Sequence, residues 1–258
     1  MRVIRFKLSG EYALFKKPYA NSQPQSFVIP PKTATLGMIG AIMGWSKDSY
    51  IDKLPFDNFK YGVRLITSKI KKDLIGINLM QGKIGEKHPI TGETGGFYLN
   101  KNPLTHPNKR GQRSPTRFEF LKDMEWEIFL LIEDQEIQNE LFKRLVTKRF
   151  VYNPNLGLQS LFAKIECNED DLIDLEIAKD INGNLYTSFD KNQTKFKITK
   201  PVAFYNELIP VYFEKDRSLP QTKEIISFVG NYSIEITNKE ELKGKLYKDE
   251  QNRLYQLI

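Results

Sequence analysis

The sequence predicts an α+β fold: a ferredoxin-like βαββαβ domain over residues 1–168, broken by one long insertion, then a β-rich C-terminal subdomain over residues 169–258. Three observations carry this. Apolar-rich runs of strand length recur near residues 3–8, 61–68, 74–80 and 124–133. Helical spacing holds in two windows between and after those runs, and beyond Cys167 the chain turns to short β-like runs without helical period. At 258 residues there is ample core for one large domain or two smaller ones.

The first run, RVIRFKLSG, alternates Ile4, Phe6 and Leu8 with Arg5 and Lys7, the pattern of a strand with one buried face, and Gly10 is expected to end it. The following EYALFKKPYANSQPQSF reads as a loop that turns Tyr12 and Phe15 inward and carries Lys16, Lys17, Tyr19, Asn21, Ser22 and Ser26. Pro30 and Pro31 fix their own φ and hold the preceding residues extended, so a helix starts only after them. Thr33 is the expected N-cap. From there Leu36, Ile39, Ile42 and Met43 recur at helical spacing, while Gly37, Gly40, Ala41 and Gly44 make a bare adjoining face expected to pack on the sheet. Three interior glycines cost about 1 kcal/mol each relative to alanine, so a close backbone approach is needed to offset them.

Two readings of this helix stand side by side. It is a tightly packed core element, or its N-terminus, with Lys32 and Thr33, offers free N–H groups and a positive dipole end to an anion. About 13 apolar residues fall short of the roughly 20 that span a bilayer. A phosphate loop is excluded because no Gly-Lys-Ser/Thr follows the glycines.

Residues 61–68 and 74–80 read as strands with Lys69, Lys71, Lys72 and Asp73 as their turn. Residues 81–116 form the longest irregular segment, rich in Gly, Pro, Asn and Thr. From residue 81 to 117 there are seven basic residues, Lys83, Lys87, Lys101, Lys109, Arg110, Arg113 and Arg117, against Glu86 and Glu93, with Phe97 and Tyr98 interleaved. Cations with a few aromatics suit the phosphates and bases of a single strand; a disordered basic insertion is the competing reading. Residues 124–133 read as a central strand, after which Asp134 caps a helix over 135–149 with Ile137, Leu141, Leu145 and Val146 on one stripe. Lys143, Arg144, Lys148 and Arg149 suit its C-terminal end. A turn-rich connection with Gly157 leads to a last strand, SLFAKIEC. Further on, 184–189 pairs with 195–199, 210–213 with 225–229, and 246–247 with 254–258, and no motif in this part declares a chemistry.

The net charge of +7 is unevenly spread. Residues 1–117 carry 20 Lys+Arg against 7 Asp+Glu, a net +13, whereas residues 118–258 carry 19 against 25, a net −6. A polyanion such as nucleic acid is the economical partner for the basic half, and an anionic membrane surface is the alternative that charge alone leaves open. Cys167 is the single cysteine, which excludes an internal disulfide and leaves no cysteine cluster for a metal. With no signal peptide and no long apolar run, the expected compartment is the cytoplasm, and no cofactor is expected. His88 and His106, each followed by proline, are the only histidines, thin material for catalysis beyond metal-independent RNA cleavage. The string Glu169, Asp170, Asp171 and Asp174 reads as solvated carboxylates.

Three pieces combine into a resemblance: GEYALFKKPY after the first strand, FVIPPKTATLGMIGAIMG at the first helix, and NPNLGLQSLFAKIE before the last strand of the N-terminal domain. Together they resemble the Cas-five branch of the CRISPR-associated RAMP proteins, most like those of type I-B complexes, over roughly the first 167 residues. The resemblance implies a ferredoxin-like domain with a β-hairpin thumb at about 81–117. It also implies a Cascade-type surveillance complex in which the chain grips the 5′ handle of the CRISPR RNA (crRNA) and touches the backbone subunit Cas-seven, the large subunit Cas-eight and, indirectly, target DNA. Lys32 and Thr33 match the handle-facing turn, with Lys16, Lys17 and Ser26 in the loops beside it. Assigning Lys83, Lys87, Phe97, Tyr98, Lys109, Arg110, Arg113 and Arg117 to RNA rests on charge and aromaticity alone. Relatives of another subtype process precursor RNA with a tyrosine, lysine and histidine constellation that has no counterpart here, so the expectation is a non-catalytic subunit. An endoribonuclease and a module for an acidic protein partner are the alternatives.

Overall fold

The computed structural model describes residues 1–20, 23–47, 49–80, 113–214, 220–229 and 234–258. The architecture is mixed α+β around a six-stranded antiparallel sheet. Its axle is a pair of long strands, β1 (Arg2–Ala13) and β4 (Arg113–Ile132), matched from Ile4↔Leu130 to Ala13↔Leu121. The far edge of β4 is shared between two partners. β2 (Phe59–Leu65) pairs with its second half, and β3 (Lys71–Met80) pairs with its first half out to Met80↔Arg113. Asp123, at φ 51°, marks the hand-over, a left-handed residue of a type that tolerates that region. On the other edge, β1 carries β5 (Lys164–Glu166) and β6 (Leu172–Asp174), so four of the strands lie in the order β2-β4-β1-β5.

Alternation assigns the two faces. Ile4, Phe6, Leu8, Trp126, Ile128 and Leu130 bury against α1 (Lys32–Met43) and α3 (Gln135–Thr147), through Leu36, Ile39, Ile42, Leu141 and Leu145. Asp134 caps α3, its side chain accepting from the N–H groups of Glu136 and Ile137. The face expected to be solvated is covered instead. Val3 and Phe129 pack there with Leu175, Tyr186, Tyr255 and Leu257, and Arg5 is ion-paired with Asp171 at 2.6 Å. Asp171 is therefore a buried ion-pair partner and a capping residue for Asn168, not part of a solvated string.

The remaining elements are short. α2 (Tyr50–Lys53) follows α1; β7 (Glu176–Ile177), β13 (Tyr247–Lys248) and β14 (Leu254–Tyr255) form one small sheet. β8 (Phe189–Asp190), β11 (Gln221–Phe228) and β10 (Phe204–Tyr212) form a second, β9 (Phe196–Ile198) and β12 (Ile234–Ile236) a third, and α4 (Lys239–Leu242) is one turn. The 246–258 hairpin pairs as expected. Residues 184–189 do not pair with 195–199, and Pro210 pairs with Thr222, not with 225–229, because the 204–212 strand sits several residues further along its partner. These elements are tied to the first sheet: β6 lies in it, Tyr61 and Ile258 exchange both backbone hydrogen bonds, and Ile209, Ile225 and Val229 join the helix-side core.

Other expectations are also corrected. β1 runs through Gly10 to Ala13 because β4 continues to pair with it. Lys71–Asp73 belong to β3, and residues 113–116 to β4, rather than to loops. Only Lys164–Glu166 of SLFAKIEC is strand. The glycine face of α1 does not meet the sheet. Gly37 has open space beside it, Gly40 lies under Tyr50, and Gly44 is the left-handed C-cap at φ 76° under Val151. Pro31, not Thr33, occupies the N-cap position, and no side chain caps it.

Gly157 is different. At φ 98° it lies where a Cβ would fall 1.9 Å from the Leu14 carbonyl oxygen, and the Leu14 N–H donates to Leu156 O at 2.9 Å. Gly157→Ala is therefore expected to lower unfolding free energy by about 2 kcal/mol or more, whereas Gly37→Ala is neutral or stabilising by up to about 1 kcal/mol. Urea denaturation of the two variants measures both; equal effects would refute the distinction.

Candidate nucleic-acid interface

The segment from Phe27 to Pro31 is buried and extended but belongs to no sheet, so its backbone groups need partners from elsewhere. They are all side chains or single strands of loop. Phe27 N–H donates to Phe15 O at 2.9 Å, Val28 N–H to a Glu207 carboxylate oxygen at 2.8 Å, Trp126 Nε1–H to Val28 O at 2.9 Å, and the Tyr61 hydroxyl to Pro30 O. Burial pushes the Tyr61 phenol well above its ordinary range, so it stays a donor. Thr35 closes the segment by donating from both its N–H and its hydroxyl to Pro31 O.

This fixed segment delivers the N-terminal turn of α1 to a groove of about 550 Å³. Lys16, Pro31, Thr33 and Ala34 form one side, Gly157 and Leu158 another, and Phe118 of β4 stands at the base of the β3–β4 ribbon. Pro210, Phe213 and Pro220 complete the wall. The first N–H groups of α1 have no partner within the helix and carry its positive dipole end. Tyr12, Leu14, Phe118, Phe120, Ile75 and Leu158 pack as a small apolar cluster that joins the ribbon to the groove. The three sequence pieces, the last more than a hundred residues beyond the other two, thus converge on one surface.

The expected site residues divide. Lys16 is exposed, Thr33 is half-buried on the groove, and Arg117 is exposed on the ribbon. Lys17 is not free: its ammonium sits 2.6 Å from the buried Glu207 carboxylate and over the Phe27 ring. Ser26 is fully buried, its hydroxyl accepting from Phe15 N–H and donating to Phe27 O, so it holds the loop and cannot reach a phosphate. Lys32 and Thr33 part company, for Lys32 turns into a different cavity on the far side of the segment. Lys83, Lys87, Phe97, Tyr98, Lys109 and Arg110, like His88 and His106, lie outside the described residues, and of Arg113 only the backbone is described. Sequence reasoning missed Glu207, Phe118 and Phe213, which come from strands or loops with no local motif. Among the described residues, no cluster of three His, Cys, Asp or Glu side chains could hold a metal, and no helix is long and apolar enough to cross a membrane. Burial raises the Cys167 thiol to about 12, which keeps it protonated.

Lys32 is 8% exposed, and its pKa is lowered to about 8, first by burial and then by repulsion from Lys223 and Lys60, with Asp57 opposing. Its folded pKa lies below the ordinary 10.5, so the unfolded chain binds the extra proton between pH 8 and 10.5. Stability of the parent protein should therefore rise with pH across that window. At pH 7 the desolvation penalty is fully present, and Lys32→Met is expected to add on the order of 2 kcal/mol, an increment that shrinks by pH 10. Urea titrations at the two pH values check this; a destabilised variant at pH 7 would refute it.

Residues 3–178 match the family described as CRISPR-associated protein (Cas_Cas5). No curated protein sequence matches the chain. Among solved structures it is similar to a chain of a "CRISPR RNA-guided surveillance complex", at 11% identity, 92% coverage of both chains and a TM-score of 0.48. It is also similar to a CRISPR protein from Archaeoglobus fulgidus, at 10% identity, covering 99% of this chain and 98% of that one with a TM-score of 0.45. A third similarity is to a chain of a Type III-B Cmr-beta complex bound to cognate target RNA, at 14% identity, 97% and 98% coverage and a TM-score of 0.41. The family match spans well over half of the sequence and includes all three convergent pieces, so the chain belongs to the CRISPR-associated Cas5 family.

Proposed function

We propose that this chain is a non-catalytic, RNA-binding subunit of a type I CRISPR surveillance complex of the I-B kind. In this reading it works in the cytoplasm, grips the 5′ handle of the crRNA and caps the backbone filament. The observation that carries the reading is the groove where Lys16, the α1 N-terminal turn and the Gly157 loop meet beside the base of the β3–β4 ribbon. Its walls are apolar and its rim supplies a cation and helix N–H groups, a combination that accepts a stacked base beside a phosphate. The strand order β2-β4-β1-β5, with α1 and α3 on one face, supports a ferredoxin-like core.

The ribbon gives the proposed thumb its direction. β3 and β4 pair in continuous register for ten residue pairs, from Lys71↔Lys122 to Met80↔Arg113, so residues 81–112 depart from the end of a stiff two-stranded arm. In this reading the basic residues of that segment contact the RNA and the adjoining Cas-seven subunit. The remaining exposed surface of the chain is then available to Cas-eight, with target DNA engaged through the assembled complex.

Equilibrium binding to a repeat-derived handle RNA and to a random RNA of equal length tests the reading. Preference for the handle and a steep fall of affinity with salt are expected; no preference with a flat salt dependence would favour an acidic protein partner. Lys16→Glu is expected to weaken handle binding and to reduce the salt slope by about 1 or more without altering the melting temperature. Lys17→Ala should instead cost about 3 kcal/mol of stability, because it leaves Glu207 buried and unpaired. Reversing Lys109, Arg110 and Arg113 together should weaken RNA retention and complex assembly in pull-downs, while leaving the melting temperature unchanged. Labelled repeat RNA incubated with the protein in EDTA is expected to stay intact; site-specific cleavage lost in His88→Ala or His106→Ala would overturn the non-catalytic assignment.

A further inference from the structure

Behind the groove, on the other side of the Phe27–Pro31 segment, lies a cavity of about 280 Å³ between β2, the end of the chain and the β8–β11 pair. Four lysines line it, Lys32, Lys60, Lys223 and Lys245, against two carboxylates, Asp57 and Asp190. We propose that this cavity is a binding site for a phosphate monoester dianion, held by Lys32 at its floor and by Lys223 at its side, while Lys60 donates to the Tyr247 hydroxyl at 2.8 Å.

Lys32 is the central observation. It is more than nine-tenths buried, and among the described residues its ammonium makes no ion pair or hydrogen bond; it lies over the Phe59 ring at 4.7 Å, with Lys223, Lys60 and Asp57 close enough to act on its charge. An ammonium held out of water beside other lysines is unfavourable unless an anion accompanies it. The two carboxylates do not meet that need. Asp190 accepts from Asn192 N–H at 2.9 Å and faces Lys223 at 3.9 Å, while Asp57 is exposed at the rim.

The cavity also holds a neutral donor. Gln256 is 2% exposed and lines the cavity; its Oε1 accepts from the Asp190 N–H at 2.8 Å and its Nε2–H donates to Gln193 Oε1 at a long 3.4 Å. Among the lining side chains four lysines stand against two aspartates, so cations outnumber carboxylates even when the terminal carboxylate of Ile258 is counted. A monoester carries close to two negative charges at neutral pH and strong acceptor oxygens on every side, whereas an internal phosphodiester carries one. The buried, unpaired Lys32 ammonium beside further lysines favours the more highly charged monoester, either as a free ion or nucleotide or as the phosphorylated end of an oligonucleotide. This inference goes beyond the RNA reading and stands without it, since the groove and this cavity share no lysine.

Isothermal titration of the full chain with inorganic phosphate and with sulfate at neutral pH tests it. One saturable site is expected, with affinity reduced about tenfold or more in Lys32→Met and, separately, in Lys223→Gln. Lys32→Met should melt no lower than the parent protein, so its loss of binding is not a loss of folding. A 5′-phosphorylated oligoribonucleotide that binds more tightly than its 5′-hydroxyl twin, with the difference removed by inorganic phosphate, would identify the ligand as a chain end. Equal binding of the twins with phosphate still bound would identify a free anion. Absence of saturable phosphate and sulfate binding by the parent protein, or parent-like affinity in either variant, overturns the proposal, and neither result bears on handle RNA binding in the groove.

Discussion

The requirement that a buried backbone satisfy its polar groups governs the arrangement around residues 27–31. Two prolines hold this segment extended and deny it a place in a ladder, yet it runs through the interior. Besides the local donors Ser26 and Thr35, the partners that rescue it are long-range: Trp126 from the middle of β4, Tyr61 from β2, Glu207 from β10 and the backbone of Phe15. Three strands are thus fastened to one short stretch. The orientation of α1 follows, because the helix begins where the segment ends, and so does the separation of the groove from the lysine cavity, because Thr33 and Lys32 leave that turn on opposite sides.

A second constraint works in concert with the first. Gly157 permits the 155–158 connection to cross the end of β1 so closely that Leu14 and Leu156 bond directly. Phe15 is then held edge-on to Trp126 at 5.7 Å, and the loop pairing Phe15 with Phe27 is set by the same contact. The groove wall therefore consists of parts whose backbones are held by hydrogen bonds from both main chain and side chains.

Local patterning was enough for β1, β2, the second half of β4, α3 and the terminal hairpin, since each is read from alternation, helical spacing or a cap such as Asp134. It failed where a long-range partner overrode a local signal. Gly10 does not stop β1 because β4 continues beside it, and Lys71–Asp73 are strand because β4 supplies hydrogen bonds that their polarity does not suggest. The bare face of α1 was visible, but its covering was not: Tyr50 is a single residue of the one-turn α2, and Val151 comes from an irregular segment more than a hundred residues away. For the site, the three motifs were legible as sequence, and Lys16 and Thr33 lie on the groove they build. Ser26 and Lys17 could not be told apart from surface residues, because nothing near them announces Glu207.

The charge asymmetry shows the same limit at the scale of the whole chain. A surplus of cations in residues 1–117 and of anions beyond them suggests an external polyanion, yet much of the surplus is matched internally. Arg5 pairs with Asp171, Lys17 with Glu207, Arg64 with Glu127, and Lys72 with Glu119, each joining a cation of the first part to a carboxylate of the second. Buried or half-buried pairs of this kind fix the register between segments more than they stabilise it. The sequence-wide excess therefore overstates what a ligand can feel. In the proposed reading, what remains for a phosphate chain includes the exposed Lys16 and Arg117. For a compact dianion it is the lysine cavity, where the internal matching is left incomplete.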